Sequence, residues 1–439
     1  MDPHKSSGAK RSVLVRVLLA LIFLAILMGL GTPIMVHAES SNIGYVAYTI
    51  NLGENTEPAG IAYDPTNGYL YVAECGSGAV AVINPSTNQV IGTIQVGGCP
   101  YNIIYDPSNG YLYVVNTGTG AISVINPTTN TVVATISLVG SLCPGEPIGI
   151  TYDPSNDYIY VACAAGITAT GYNVVSIIDP RTNTVIGSIQ LEPYSAPWGI
   201  TYDPSNGYIY VTGLRSNTVY VINPNTNTVI ATIPVGSMPV NIFYNPGNGY
   251  LYVSNLGSGT ISVINGETNT VIATIQVGGG PWGIAYDQSN GYLYVANQGG
   301  VVDVIDPTTN TVIGNIMVGA FPQGIVYDPS NGYLYVTNYG SGTISAIATT
   351  SETVEYSAPC IISPSIIYYF DNSSASASFY INFTCAELDL FMGPGPMLGN
   401  LSTPGVYIPN DQSYFNHVVS GPYFISTVID GWRVLGVTY

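Results

Sequence analysis

Histidine is nearly missing from this chain of 439 residues, which has only His4, His37 and His417. The first two fall in a leader-like N-terminal segment. That scarcity argues against haem sites with a histidine ligand, copper sites built on imidazole, and Ser-His-Asp hydrolases. A lyase that needs a histidine base is disfavoured on the same ground. Lysine is absent after residue 38, where three arginines (Arg181, Arg215, Arg433) face 24 acidic residues for a formal charge of −21. Nucleic acids and anionic membranes need basic patches, so neither is expected as a partner. Charged residues of both signs make only 7% of the chain. Its surface must therefore be Ser, Thr, Asn, Gly and Tyr, which ionise little. Such a surface suits an exoprotein of an acid-living or hot-living organism. Helical periodicity is absent, so no Gly-rich phosphate loop can precede a helix. No CxxC spacing or clustered histidine suggests metal ligation, and neither a metal ion nor a cofactor is expected.

What is present is repetition. The block Tyr-Asp-Pro-Ser-Asn-Gly-Tyr-Leu-Tyr-Val, with variants, opens at Tyr63, Tyr105, Tyr152, Tyr202, Tyr244, Tyr286 and Tyr327, in steps of 42, 47, 50, 42, 42 and 41 residues. A second block, Thr-Asn-Thr-Val-Ile-Ala-Thr-Ile, lies between copies. Four short strands per repeat of roughly 40–45 residues predict propeller blades. The recurring acids Asp64, Asp106, Asp153, Asp203, Asp287 and Asp328 read as turn caps, because a catalytic site needs one or two carboxylates and not one per blade. Asn245 in the fifth copy suits a hydrogen-bonding task. Ile61, Ile103, Ile150, Ile200, Ile242, Ile284 and Ile325 each follow Gly or Asn in the first strand, as close packing near an axis requires. Seven first strands meet only six fourth-strand leaders. The missing fourth strand is found at Tyr45-Val46-Ala47-Tyr48-Thr49-Ile50-Asn51-Leu52-Gly53, which should complete the last blade and hide two sheet edges.

Tyr335-Val336-Thr337-Asn338, with the variants at Tyr294–Asn297, Tyr252-Val253-Ser254-Asn255 and Tyr113–Asn116, resembles the YVTN-repeat β-propellers associated with archaeal surface layers. The resemblance spans about residues 44–348. It departs at Glu74, Cys163 and Gly213, where the Asn is lost. It implies a secreted or surface-displayed seven-bladed propeller and carries over no catalytic residue. The Asn positions (Asn116, Asn255, Asn297, Asn338) read as local backbone hydrogen bonders.

The expected organisation is a signal peptide over 1–38, an all-β seven-bladed propeller over 39–350, and a small β-sandwich-like module over 351–439. Lys5, Lys10, Arg11 and Arg16 precede an apolar run over 17–30 and a small-residue cleavage site at Val36-His37-Ala38. An uncleaved anchor is the alternative, and would be the only membrane contact. Either way the propeller is expected to be extracellular or on the cell surface. The six cysteines suit an oxidising compartment. Shared loop faces predict Cys75–Cys99 and Cys143–Cys163, and Cys360 with Cys385 is the remaining pair. C-terminal strands are expected at 366–370, 377–384, 387–391, 423–429 and 432–438. The acceptor tripeptides at Asn372, Asn382 and Asn400 all fall in that module and suggest glycosylation.

The candidate site is the channel mouth on the loop face that carries the insertions 138–147, 163–172 and 190–197. One residue near the proline of each first strand faces it: Ala59, Tyr101, Ile148, Trp198, Val240, Trp282 and Gln323. Asn102 and Asn241 replace the glycine of other blades. Aromatic plates beside amides suit sugars, so Tyr101, Asn102, Trp198, Asn241, Trp282 and Gln323 form a candidate ligand site. The leading expectation is a non-catalytic surface protein that binds surface-layer or other envelope proteins, or glycans. The alternative is an extracellular propeller enzyme of the lyase, lactonase or quinoprotein type, with Tyr101, Trp198, Trp282 and the acids Glu57 and Glu146 lining its mouth.

Overall fold

The computed structural model describes residues 43–138, 143, 145–164 and 173–349, and the backbone of strands Cys360–Phe370, Ser376–Cys385 and Tyr423–Val428. The described residues hold strands and no helix. Contacts divide the chain into a propeller unit, Asn42–Ser351, and a second unit that contains Glu352–Tyr439. The second unit has one antiparallel sheet of three strands, in which Cys360 stands opposite Cys385. The expected strands 387–391 and 432–438, the signal segment and the three glycosylation acceptors' side chains lie outside the described residues.

The propeller has seven four-stranded antiparallel blades. Six are continuous in sequence, over 58–95, 100–137, 146–190, 197–234, 239–276 and 281–317. The seventh takes three strands from 322–348 and its outer strand from Tyr45–Asn51, which pairs antiparallel with Thr343–Ala348. The ring therefore closes as the count of strand leaders predicts.

The core lies between blades. One cluster joins Tyr113, Val115 and Ile122 of the second blade to Ile150, Ile159 and Val161 of the third. Equivalent clusters fill the other junctions. The alternation of Tyr-Leu-Tyr-Val sends Leu70 into one junction and Tyr71 into the opposite one, as the two-residue period of a strand requires.

The turn face is held by the repeat's polar residues. Asp64 Oδ1 accepts from the Thr66 backbone N–H at 2.8 Å and its hydroxyl at 2.6 Å. The other five aspartates accept in the same way from a serine two residues on, and Asn245 accepts from the Gly247 N–H. These carboxylates cap turns.

The third tyrosine of the block spans a blade junction at Tyr71, Tyr113, Tyr210, Tyr294 and Tyr335. Tyr71 receives a bond from Asn67 and donates to the Asn130 side chain and Pro127 carbonyl of the next blade, at 3.1 and 3.3 Å. Burial pushes the Tyr71 phenol up to about 12, so it remains a donor well into the alkaline range. At closure Tyr294 donates instead to the Ile43 carbonyl, and Thr349 donates to Asp287. Both ends of the propeller segment are thus tied to the sixth blade.

Two buried acids give the fold a pH dependence of definite sign. Glu74 is 4% exposed and Asp303 5% exposed, and burial raises the pKa of each. A carboxyl with a raised folded pKa contributes stability that is complete below its unfolded pKa and is lost as pH rises through the folded one. Stability from these two groups should therefore grow on acidification. Asp303→Asn keeps an acceptor for Asn297, which donates to Asp303 at 2.8 Å, and removes the buried charge. The variant should melt a few degrees above the parent at pH 7, with the gap closing at pH 3. Calorimetry at both pH values checks this, and a gap that widens on acidification would contradict it.

Candidate functional site

Each first strand enters the mouth through a bulge. The register shifts between Pro58 and Ile61, and at the matching place in every other blade. A bulge leaves a backbone N–H without a ladder partner. In the seventh blade Thr337 Oγ1 accepts from the Gly324 N–H at 2.8 Å and donates to the Ala59 carbonyl of the first blade at 2.6 Å. Thr212 likewise receives the Gly199 N–H. In the blades with Asn, the side chain serves the bulge: Asn102 Oδ1 accepts from Ile103 N–H at 2.9 Å, and Asn241 Oδ1 from Ile242 N–H at 2.8 Å. One end of each amide is thus used by the fold.

The Asn of the Tyr-Val-Thr-Asn motif is also structural. Asn338 Nδ2 donates to Thr343 and Ser345, and its Oδ1 accepts from the Gly319 N–H. Asn116, Asn255 and Asn297 likewise donate to side chains of the third strand of their own blades.

Three of the seven mouth positions carry aromatic side chains, one in every second blade. Tyr101 and Trp198 have ring centroids 6.3 Å apart with planes at 89°, and Trp198 and Trp282 have centroids 6.4 Å apart at 84°. The three meet across the axis although they belong to the second, fourth and sixth blades. Tyr101 and Trp198, with Leu214, rest on Ile148, Ala164 and Ala196. Ala59, Ile148, Val240 and Gln323 are buried at the remaining positions. Gln323 is 7% exposed, and its Oε1 has no hydrogen-bond partner. An unpaired buried carbonyl costs ~1–3 kcal/mol, so a donor brought to it would recover that loss.

Beside the aromatics stands a short carboxylate–phenol hydrogen bond. Tyr339 donates to Glu57 Oε2 at 2.8 Å, across 282 residues of sequence. Burial first, and the Glu57 carboxylate second, push the Tyr339 phenol up to about 12. Burial and then the nearby Tyr339 raise the Tyr101 phenol above its usual range. Both phenols are therefore donors at neutral pH. Glu57 has a left-handed backbone at φ 49°, which it shares with Ala196, Met238 and Phe321 before the matching prolines. That conformation is a property of the repeat's loop and orients Glu57 toward the seventh blade. Glu146 stands exposed at the head of the third blade. Sequence reasoning named Glu57 and missed Tyr339, whose position after the motif Asn carries no chemical signature. Among the described residues, no three acidic, cysteine or histidine side chains converge to hold a metal ion.

Disulfides brace this wall. Cys75 is bonded to Cys99 and Cys143 to Cys163, as the loop topology predicts. The Cys75 N–H donates to the Glu57 carbonyl, and Cys99 lies two residues before Tyr101. Such bonds fit an oxidising compartment.

These residues build a seven-bladed propeller with an aromatic mouth and the hydrogen-bonded Glu57 beside it. Residues 54–305 match the family described as Lactonase, 7-bladed beta-propeller, and the chain belongs to that family. Among solved structures it is similar to Kuenenia stuttgartiensis hydrazine synthase, at 20% identity and TM-score 0.59, over 70% of this chain and 99% of that one. It is also similar to a streptogramin B lyase, at 16% identity and TM-score 0.59, over 71% of this chain and 100% of that one. At these identities the likeness is one of fold. No curated protein matches the chain. The family shifts the balance from the leading expectation, a non-catalytic surface protein, toward the enzyme alternative. The expected β-propeller is borne out, while the YVTN family and its surface-layer role gain no support.

Proposed function

We propose that the chain is an extracellular enzyme of the lactonase type that opens a cyclic ester at the channel mouth. The observation that carries this reading is the Tyr339–Glu57 hydrogen bond beside Tyr101. In the proposed step Glu57 takes a proton from a water molecule, whose oxygen adds to the ester carbonyl. The protonated phenol of Tyr101 donates to the oxyanion that develops. The ring oxygen then leaves with the proton held by Glu57, and the products are one carboxylic acid and one alcohol on a single molecule. Tyr339 holds the Glu57 carboxylate in place, while the aromatic walls exclude bulk water. The mechanism asks for no histidine, which accords with the chain's composition.

Glu57→Gln keeps the shape and an acceptor for Tyr339, and removes the base. It should lower kcat by about 10²–10³ with little change in KM, in line with the usual worth of a positioned base. The measurement is turnover of a panel of cyclic esters by the full chain and by this variant. Turnover that survives the substitution would overturn the role of Glu57. A native chain that binds esters and opens none would return the reading to surface binding.

A further inference from the structure

We propose that the mouth receives an organic cation, a quaternary or protonated amine carried by the substrate. This deepens the reading above by naming the substrate's chemical class, and rests on it only for that link. Three observations converge. First, the ring planes of Tyr101, Trp198 and Trp282 meet at 89° and 84°. Perpendicular walls form a corner, whereas a flat sugar ring needs an open plate or a parallel-sided slot. A compact tetrahedral onium group fills a corner and is attracted to the negative faces of several rings at once.

Second, the charges of this face are predominantly negative. Glu57 borders the aromatics, Glu54 and Glu192 stand exposed on the surrounding loops, and Glu146 stands exposed at the head of the third blade. Arg215 is the one cation on this face among the described residues, since Arg181 is paired with Asp179 on the turn face. Low-dielectric walls focus such a field into the cleft and enrich cations there. An anionic substrate would be repelled.

Third, the buried polar atom left unpaired at the strand position shared with the aromatics is an acceptor. Gln323 Oε1 is held by a side chain 7% exposed, with no donor in reach. It suits the N–H of an amine or the polarised methyl groups of a quaternary ammonium. The aromatics select the shape, the acids supply the field, and Gln323 marks the depth to which the head group descends.

The test is calorimetric titration of the full chain with choline and with its neutral isostere 3,3-dimethylbutan-1-ol. Choline should bind about tenfold more tightly than the isostere. Its affinity should fall as salt is raised toward about 0.5 M. Trp282→Leu should abolish the preference, and Trp282→Phe, which keeps a wall, should retain part of it if the variant melts like the parent. Equal affinity for the isostere would overturn the proposal, as would an absence of choline binding. Choline binding without opening of any ester would sink the enzymatic reading and leave the cation site standing. Opening of neutral esters without choline binding would do the reverse.

Discussion

A chain that begins at Leu52 will melt about 10 °C below one that begins at Asn42, and will expose a sheet edge. The lost strand, Tyr45–Asn51, pairs six of its residues with Thr343–Ala348 and buries Ile50 to 4% exposure. Burial of one such side chain contributes ~1.5–3 kcal/mol, and the Tyr294 bond to Ile43 adds ~1 kcal/mol. With the strand's backbone bonds the loss reaches ~5 kcal/mol, at about 2 °C per kcal/mol for a domain of this size. The neighbour-to-neighbour stability of a repeat array makes the effect larger than its local count, because an open ring frays from both ends. A synthetic peptide spanning 43–52 should restore the melting point in proportion to the logarithm of its concentration. Unchanged melting of the shortened chain would show that the closing strand is dispensable.

Gly149→Ala is expected to destabilise by about 3 kcal/mol, the upper range for forced overpacking. A Cβ at Gly149 would collide with the Trp198 carbonyl of the next blade, and backbone cannot swing aside as a side chain can. The strand would have to back away, carrying Trp198 from its contacts with Tyr101 and Trp282. The proposed ester opening and the stability should therefore fall together. The comparison is Gly68→Ala on the turn face, where φ is +73° and a Cβ would meet nothing within 4 Å. There only the left-handed backbone penalty of ~1 kcal/mol applies, with no effect on turnover. Denaturant melts and turnover of both variants decide the matter. A Gly149→Ala protein as stable as Gly68→Ala would refute the close-packing account of the inner strands.

Much of the candidate site was legible as a list and not as an arrangement. Tyr101, Trp198 and Trp282 could be named because the repeat aligns them at one strand position. Their contacts could not, since side chains 84 and 97 residues apart meet only if the ring closes with these blades alternating. Asn102 and Asn241 looked like ligand amides in sequence. In the structure their oxygens cap the bulges that the absence of glycine would otherwise leave unserved. The turn aspartates were legible in full, because a cap and its recipient are two residues apart and the chain's local geometry settles the bond.

By itself the sequence determined the number of blades, their four-strand make-up, the closing strand, the polar turn chemistry and the loops that the disulfides join. These follow from local periodicity and from counting repeats, which survive without knowledge of distant contacts. Only the tertiary structure decided that Tyr339 grips Glu57, that three aromatic rings make a corner, and that Gln323 is buried with an unpaired oxygen. The physical reason is that a propeller's site lies on its axis. Each blade contributes one or two side chains there, and their distances are set by ring closure and not by the spacing of residues along the chain.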